Sequence, residues 1–146
     1  MTGATLVRRI AARPSIVFDA LVTAEGISAW FGPDDLPVIS AKSDPRLGGA
    51  FEVCFRTYDG LTHVCAGEYL QIVRPERVVL SWRWASGGVE DERGKTSRVE
   101  FHLRAIDTGT ELTLIHADLT TDVSARSHEG GWSGALDKLT RILEGS

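Results

Sequence analysis

From Trp132 onward the apolar residues fall at Trp132, Ala135, Leu136, Leu139, Ile142 and Leu143, the recurrence of a helix with one buried face. Ser133, Asp137, Lys138, Arg141 and Glu144 occupy the opposite face, where Asp137 and Arg141 are spaced for an ion pair, and Gly145 supplies a stop. Carried backward, the same stripe meets Glu129, His128 and Ala125, so its first half turns polar. Gly130 and Gly131 sit at the change, and each costs a helix about 1 kcal/mol relative to alanine. A chain that tolerates this needs either a close backbone approach there or open room. The pattern predicts a long helix within Asp122–Glu144, its second half sealing a core against a sheet and its first half bordering a pocket.

Earlier in the chain, Thr5–Ala11 reads as a strand, and Pro14 opens a helix over Pro14–Val22. Thr23 is placed to cap a second helix, Ala24–Trp30, which Phe31 to Asp35 breaks. Helical spacing then gives way to strands at Leu36–Ala41, Gly49–Tyr58, Leu61–Val73, Glu76–Trp84, Thr96–Ile106 and Thr110–Leu119. Asp59-Gly60 predicts a two-residue hairpin, Pro75-Glu76 and the segment from Asp107 to Thr110 predict further turns, and Ala85–Lys95 predicts a mobile loop. The order of elements predicts one α+β domain over residues 1–146, a curved antiparallel sheet around the C-terminal helix.

Alternation assigns faces. Phe51, Val53 and Phe55 share one, as do Val78, Leu80, Trp82 and Trp84; Val99, Phe101 and Leu103; and Leu112, Leu114 and His116. In the fourth strand Val64, Ala66, Leu70 and Ile72 share a parity that includes Glu68. Glu68, His116 and His128 are therefore expected to point inward, satisfied by neighbours or turned outward by a bulge. Glu100 and His102 fall on the charged, solvated face. With a two-residue turn, residues whose numbers sum to 119 lie opposite, so Cys54 would face Cys65 in a hydrogen-bonded pair poorly aimed for a disulfide. Free thiols are the expectation.

The chain is 42% hydrophobic and 25% charged, with a formal net charge of −4, which argues against holding nucleic-acid phosphates. The N-terminal residues form neither a signal-peptide core nor a spanning run, so no membrane span and a cytoplasmic location are expected. Phosphate-loop, nucleophile-elbow, zinc and haem spacings are missing; Gly48-Gly49 fits a tight turn instead, and neither cofactor nor metal is expected.

Four ordered segments carry a family resemblance. They are Ala12 to Leu21 with Ile27 to Phe31; Asp44 to Gly49; Gly67 to Trp82; and Leu112 to His116 with Gly131-Trp132. Together they resemble the heat-shock-protein ATPase activator homologues of the START-like (Bet v 1-like, SRPBCC) superfamily. The resemblance implies a helix-grip fold with a cavity between sheet and C-terminal helix, and members range from co-chaperone-like and stress-response proteins to lipid carriers and aromatic cyclases.

The first functional reading is a binding protein, a monomer or weak homodimer, for a small hydrophobic or aromatic molecule. Its apolar contacts would be Trp30, Phe31, Phe51, Phe55, Trp82, Phe101 and Trp132, with Glu68, His116 and His128 as polar ones. The alternatives are a cyclase or hydratase using those three polar groups for proton transfer, and a stress-response role through a chaperone or other protein partner.

Overall fold

A computed structural model describes residues 2–32, 36, 38–88, 92, 94–119 and 121–144. Its elements are β1 (Thr2–Ile10), α1 (Pro14–Val22), α2 (Ala24–Trp30), β2 (Ser40–Ser43), β3 (Ala50–Arg56), β4 (Thr62–Val73), β5 (Arg77–Ser86), β6 (Ser97–Ile106), β7 (Gly109–Leu119) and α3 (Asp122–Glu144). The strands form one seven-stranded antiparallel sheet in the order β1-β7-β6-β5-β4-β3-β2. The α3 helix lies along it, and the predicted α+β helix-grip architecture is the one observed.

Local chemistry accounts for the helix boundaries. Pro14 occupies the first turn of α1, and the Thr23 hydroxyl accepts the Gly26 N–H at 3.0 Å to cap α2. The two helices touch closely: a Cβ on Gly26 would stand 2.6 Å from the Ala20 backbone, and Trp30 Nε1 donates to Ala20 O at 2.8 Å. Val17, Phe18, Leu21, Ile27 and Trp30 are thereby buried in the same core as Leu136 and Leu139 of α3. The stripe of α3 holds through Leu139, but Ile142 is 39% exposed. Asp137 accepts from Arg8 Nε of β1 at 2.8 Å, tying the helix to the sheet edge. The expected stop at Gly145 lies outside the described residues.

Three sequence expectations are corrected. Strand β1 starts at Thr2 and stops at Ile10, where Ala12 N donates back to Ile10 O at 2.8 Å in a turn. The strand expected at Leu36–Ala41 runs instead from Ser40 to Ser43, and Pro37 is outside the described residues. The third concerns the β3–β4 hairpin. Thr57 N donates to Leu61 O and Gly60 N to Thr57 O, with Gly60 at φ +84°, a three-residue connection whose left-handed position is glycine. Asp59 stabilises it by accepting from Leu61 N and Thr57 Oγ1. The register therefore pairs Val53 with Cys65 and Phe55 with His63.

That one-residue difference exchanges the faces of β4. Cys65 and Tyr69 are fully buried, whereas Leu70 is 48% exposed and Glu68 is exposed on the outer face. Cys54 and Cys65 belong to opposite faces and are free thiols. Gly67 takes the inward position between Cys65 and Tyr69, where a Cβ would meet Ser81 O at 1.9 Å. No helix among the described residues is long and apolar enough to cross a membrane.

Candidate functional site

A cavity of about 350 Å³ opens between the first half of α3 and the sheet. On the helix side its wall is Ser127, His128, Gly130, Gly131, Trp132 and Ala135. A Cβ placed on either glycine would find no atom within 4 Å, so this pair supplies room rather than a close approach. Trp82 and Trp84 come from β5, Phe55 with Thr57 and Tyr58 from the β3–β4 hairpin, and Phe31 with Gly32 from the end of α2. Phe31 packs on both Phe55 and Trp132, at ring separations of 5.4 and 5.7 Å, which closes the aromatic wall. His63 anchors the hairpin behind it, accepting Gly88 N–H at Nδ1 and meeting Thr57 Oγ1 at 3.0 Å.

Behind the aromatic wall lies a buried polar network. His116, with no exposed surface, receives the Trp132 Nε1–H at Nδ1 over 3.0 Å and meets Ser97 Oγ at Nε2 over 2.7 Å. Because an indole nitrogen only donates, Nδ1 must be unprotonated and Nε2 carries the hydrogen. Burial, reinforced by the neighbouring His128, pushes the His116 pKa down to about 2, so the ring is neutral. The His116 and His128 rings are 4.3 Å apart, and Trp82 stands edge-on to both.

His128 is bonded elsewhere. Its Nε2 lies 2.7 Å from Glu92 Oε1, which also accepts Trp84 Nε1–H at 2.9 Å. Glu92 is only 5% exposed. Burial works to raise its pKa, but the bond and charge of His128 with the Trp84 and Ser124 dipoles outweigh this and hold the carboxyl below its usual value. A carboxylate offers only acceptors, so Nε2 of His128 carries a hydrogen and donates it to Glu92. Glu92 Oε2 and Ser124 Oγ are buried without a bonded partner of good geometry.

The ten residues expected at the site separate into four groups. Phe31, Phe55, Trp82, His128 and Trp132 line the cavity. Trp30, Phe51 and Phe101 lie deeper, around a void of about 20 Å³ that is packed core. His116 is enclosed behind Trp82 and Trp132. Glu68, expected to point inward, is on the outside of the sheet because of the hairpin register, so it forms no proton-transfer pair with His116.

Trp84 and Glu92 were not anticipated as site residues. The parity of Trp84 with Trp82 was a usable signal; Glu92, inside a charged glycine-rich segment, carried none. Residues 89–91 and 93 of the expected 85–95 loop are outside the described set. Among the described residues, no cluster of three or more His, Cys, Asp or Glu side chains converges as a metal-ligand set.

Comparison with known proteins adds a family. The model of the Activator of Hsp90 ATPase homolog 1-like protein family matches residues 11–144. A structure from Chromobacterium violaceum superposes with a TM-score of 0.86 at 22% identity, covering 98% of this chain and 97% of that one. An AHSA1 protein from Silicibacter pomeroyi gives 0.83 at 28% identity, with 97% and 96% covered. An AHSA1-like protein from Aeromonas hydrophila gives 0.77 at 20% identity, with 98% and 92% covered. No curated protein matches.

Proposed function

This chain belongs to the Activator of Hsp90 ATPase homolog 1-like protein family, and from that premise we propose that it binds a small hydrophobic or aromatic molecule between the sheet and α3. Membership supports a ligand-binding or co-chaperone-type role within a START-like fold. The observation that carries the narrower reading is the cavity's lining. Trp84 and Trp132 direct their N–H groups away from it, to Glu92 and His116, while Trp82 Nε1 is itself buried. What these three indoles offer an occupant is aromatic face and edge.

A volume of about 350 Å³ falls within the range of roughly 300–1,000 Å³ seen for small-molecule sites. A dry core would not maintain such a space, because unfilled volume forfeits dispersion contacts. Gly130 and Gly131 keep that space open at a cost to helix stability, as expected where room is needed.

Mass spectrometry of an organic extract from natively purified protein tests the reading directly, and an apolar environment-sensitive dye tests the cavity. The dye is expected to bind, to be displaced by aromatic or acyl compounds, and to bind less well to Trp82→Leu. If no apolar compound perturbs the indole resonances of Trp82, Trp84 and Trp132, the space is only imperfect core and the proposal fails.

A further inference from the structure

We propose that His63 is a proton-sensitive clasp on the cavity wall: the neutral ring ties the end of β5 to the β3–β4 hairpin, and its protonation opens that wall and weakens ligand binding. This adds a regulation to the ligand-binding reading and rests on it. The hairpin gives the cavity Phe55, Thr57 and Tyr58, and β5 gives it Trp82 and Trp84. His63 stands against both sides, its ring 5.6 Å from that of Phe55 and 5.7 Å from that of Trp84.

The bonding fixes the form of the ring. A backbone amide only donates, so the Gly88 N–H, 2.8 Å away, requires an unprotonated Nδ1. The Thr57 hydroxyl gives its hydrogen to Asp59, so Thr57 Oγ1 is the acceptor toward Nε2 at 3.0 Å, and Nε2 carries the hydrogen. A second proton has only Nδ1 to occupy, where it would meet the Gly88 N–H donor to donor. Clasp and cation are therefore exclusive, and imidazole is the side chain that changes charge between about pH 5 and 8. His63 is half-buried, so a proton can reach it.

What the clasp holds is tightly seated. Gly87 and Gly88 follow β5 at φ +69° and +79°, where glycine is favoured. A Cβ on Gly88 would stand 2.2 Å from Trp84 Cγ, and one on Gly87 would stand 2.7 Å from His63 Nδ1. The backbone that His63 holds therefore lies directly against the Trp84 indole of the cavity wall. Other charged groups around the cluster do not undo this bond. Glu92 accepts from Trp84 Nε1 and from His128 Nε2, and a further proton on His128 leaves that Nε2 bond in place. The charge of Asp59 favours the His63 cation. Arg56 and Arg83, next to Phe55 and Trp84 in their strands, are exposed. The acid-labile point is His63.

The probe is N-phenyl-1-naphthylamine, an apolar fluorescent dye that stays uncharged throughout, titrated into the full chain at about pH 7.5 and about pH 5.5. Wild type is expected to bind about tenfold more weakly at the acid value, the scale of one lost hydrogen bond. His63→Asn, whose amide oxygen stands in for Nδ1 and takes no proton, should keep most of its neutral-pH affinity there. His63→Leu, which offers Gly88 no acceptor, should bind at neutral pH about as weakly as wild type binds in acid. Parallel losses in wild type and His63→Asn overturn the clasp and leave the ligand site standing. NMR of ¹⁵N-labelled wild type needs no variant: the Gly88 amide proton should move upfield along the same titration curve as the His63 ring. A Gly88 resonance that stays in place as His63 protonates, or a ring still neutral at the acid value, likewise overturns the clasp alone. Dye that binds at neither pH overturns the ligand-binding reading and the regulation with it.

Discussion

Acid should unfold this protein earlier than its carboxylates require, because of His116. The ring is fully buried, accepts from Trp132 and is neutral, with its pKa pushed down to about 2, whereas in the unfolded chain it returns to its ordinary value of 6.5. Between those two values the unfolded state binds a proton that the native state refuses. Stability therefore rises with pH across the window, is complete above the unfolded pKa, and falls as pH drops below it. Between pH 7 and pH 5 the loss is about 2 kcal/mol, since 1.36 kcal/mol accompanies each unit once the unfolded ring is mostly protonated. That figure is insensitive to the native pKa as long as it lies well below 5. The lowered carboxyls Glu92 and Glu100 act in the same direction, but only as pH falls below their ordinary value of 4.5, so the upper part of the window belongs to the imidazole. Urea titrations at pH 7, 6 and 5 measure the effect in the wild type and in His116→Gln, whose amide neither titrates nor lacks a donor and acceptor. The variant should cost about 1–3 kcal/mol at pH 7 and then lose about 2 kcal/mol less than the wild type on going to pH 5. Parallel curves for the two proteins would refute the assignment of a neutral, enclosed His116.

Outcomes are also expected for four further substitutions. Trp132→Ala removes an indole that is 6% exposed and should cost about 3–5 kcal/mol; a urea midpoint shift no larger than that of the exposed Glu129→Gln would contradict its place in the core. Gly134→Ala, whose added methyl meets nothing within 4 Å, should stabilise the protein by about 0.5–1 kcal/mol without affecting dye binding. Gly131→Ala should stabilise similarly but weaken the dye, because Gly131 lines the cavity; equal dye affinity in the two variants would remove the helix glycines from the site. Gly67→Ala would force a methyl against Ser81 O and the Phe51 ring and should destabilise by about 1–3 kcal/mol, and an unchanged melting curve would show that β4 and β5 lie farther apart there.

The architecture was readable because its signals are local and repeated. The apolar stripe of α3, the proline at the start of α1, the Thr23 cap and the alternation in β5, β6 and β7 each depend on neighbours a few residues away. Many weak preferences that agree determine the element. The β3–β4 hairpin shows where such reading fails. Asp-Gly is compatible with a two-residue turn, but here Asp59 spends its carboxylate on Thr57 and Leu61, which draws one more residue into the loop. One residue is enough to move Glu68 to solvent and Cys65 into the core.

The site was legible only where side chains lie on regular elements. His128 follows from the stripe of α3, and Trp82 from the alternation of β5. Glu92 does not follow from anything nearby, since its bonded partner His128 is 36 positions away and its own segment is rich in charge and glycine. A carboxylate in such a segment is solvated by default, and only tertiary closure against Trp84 and His128 makes it a buried acceptor. The same closure gives different surroundings to the two imidazoles that strand alternation and the helix stripe had turned inward. His116 is enclosed by Ser97 and Trp132 and has both nitrogens occupied, whereas His128, held at Nε2 by Glu92, lines the cavity. Residue type and inward parity are therefore insufficient to assign chemistry to a histidine; the partners that enclose the ring decide whether it seals a core or borders a cavity.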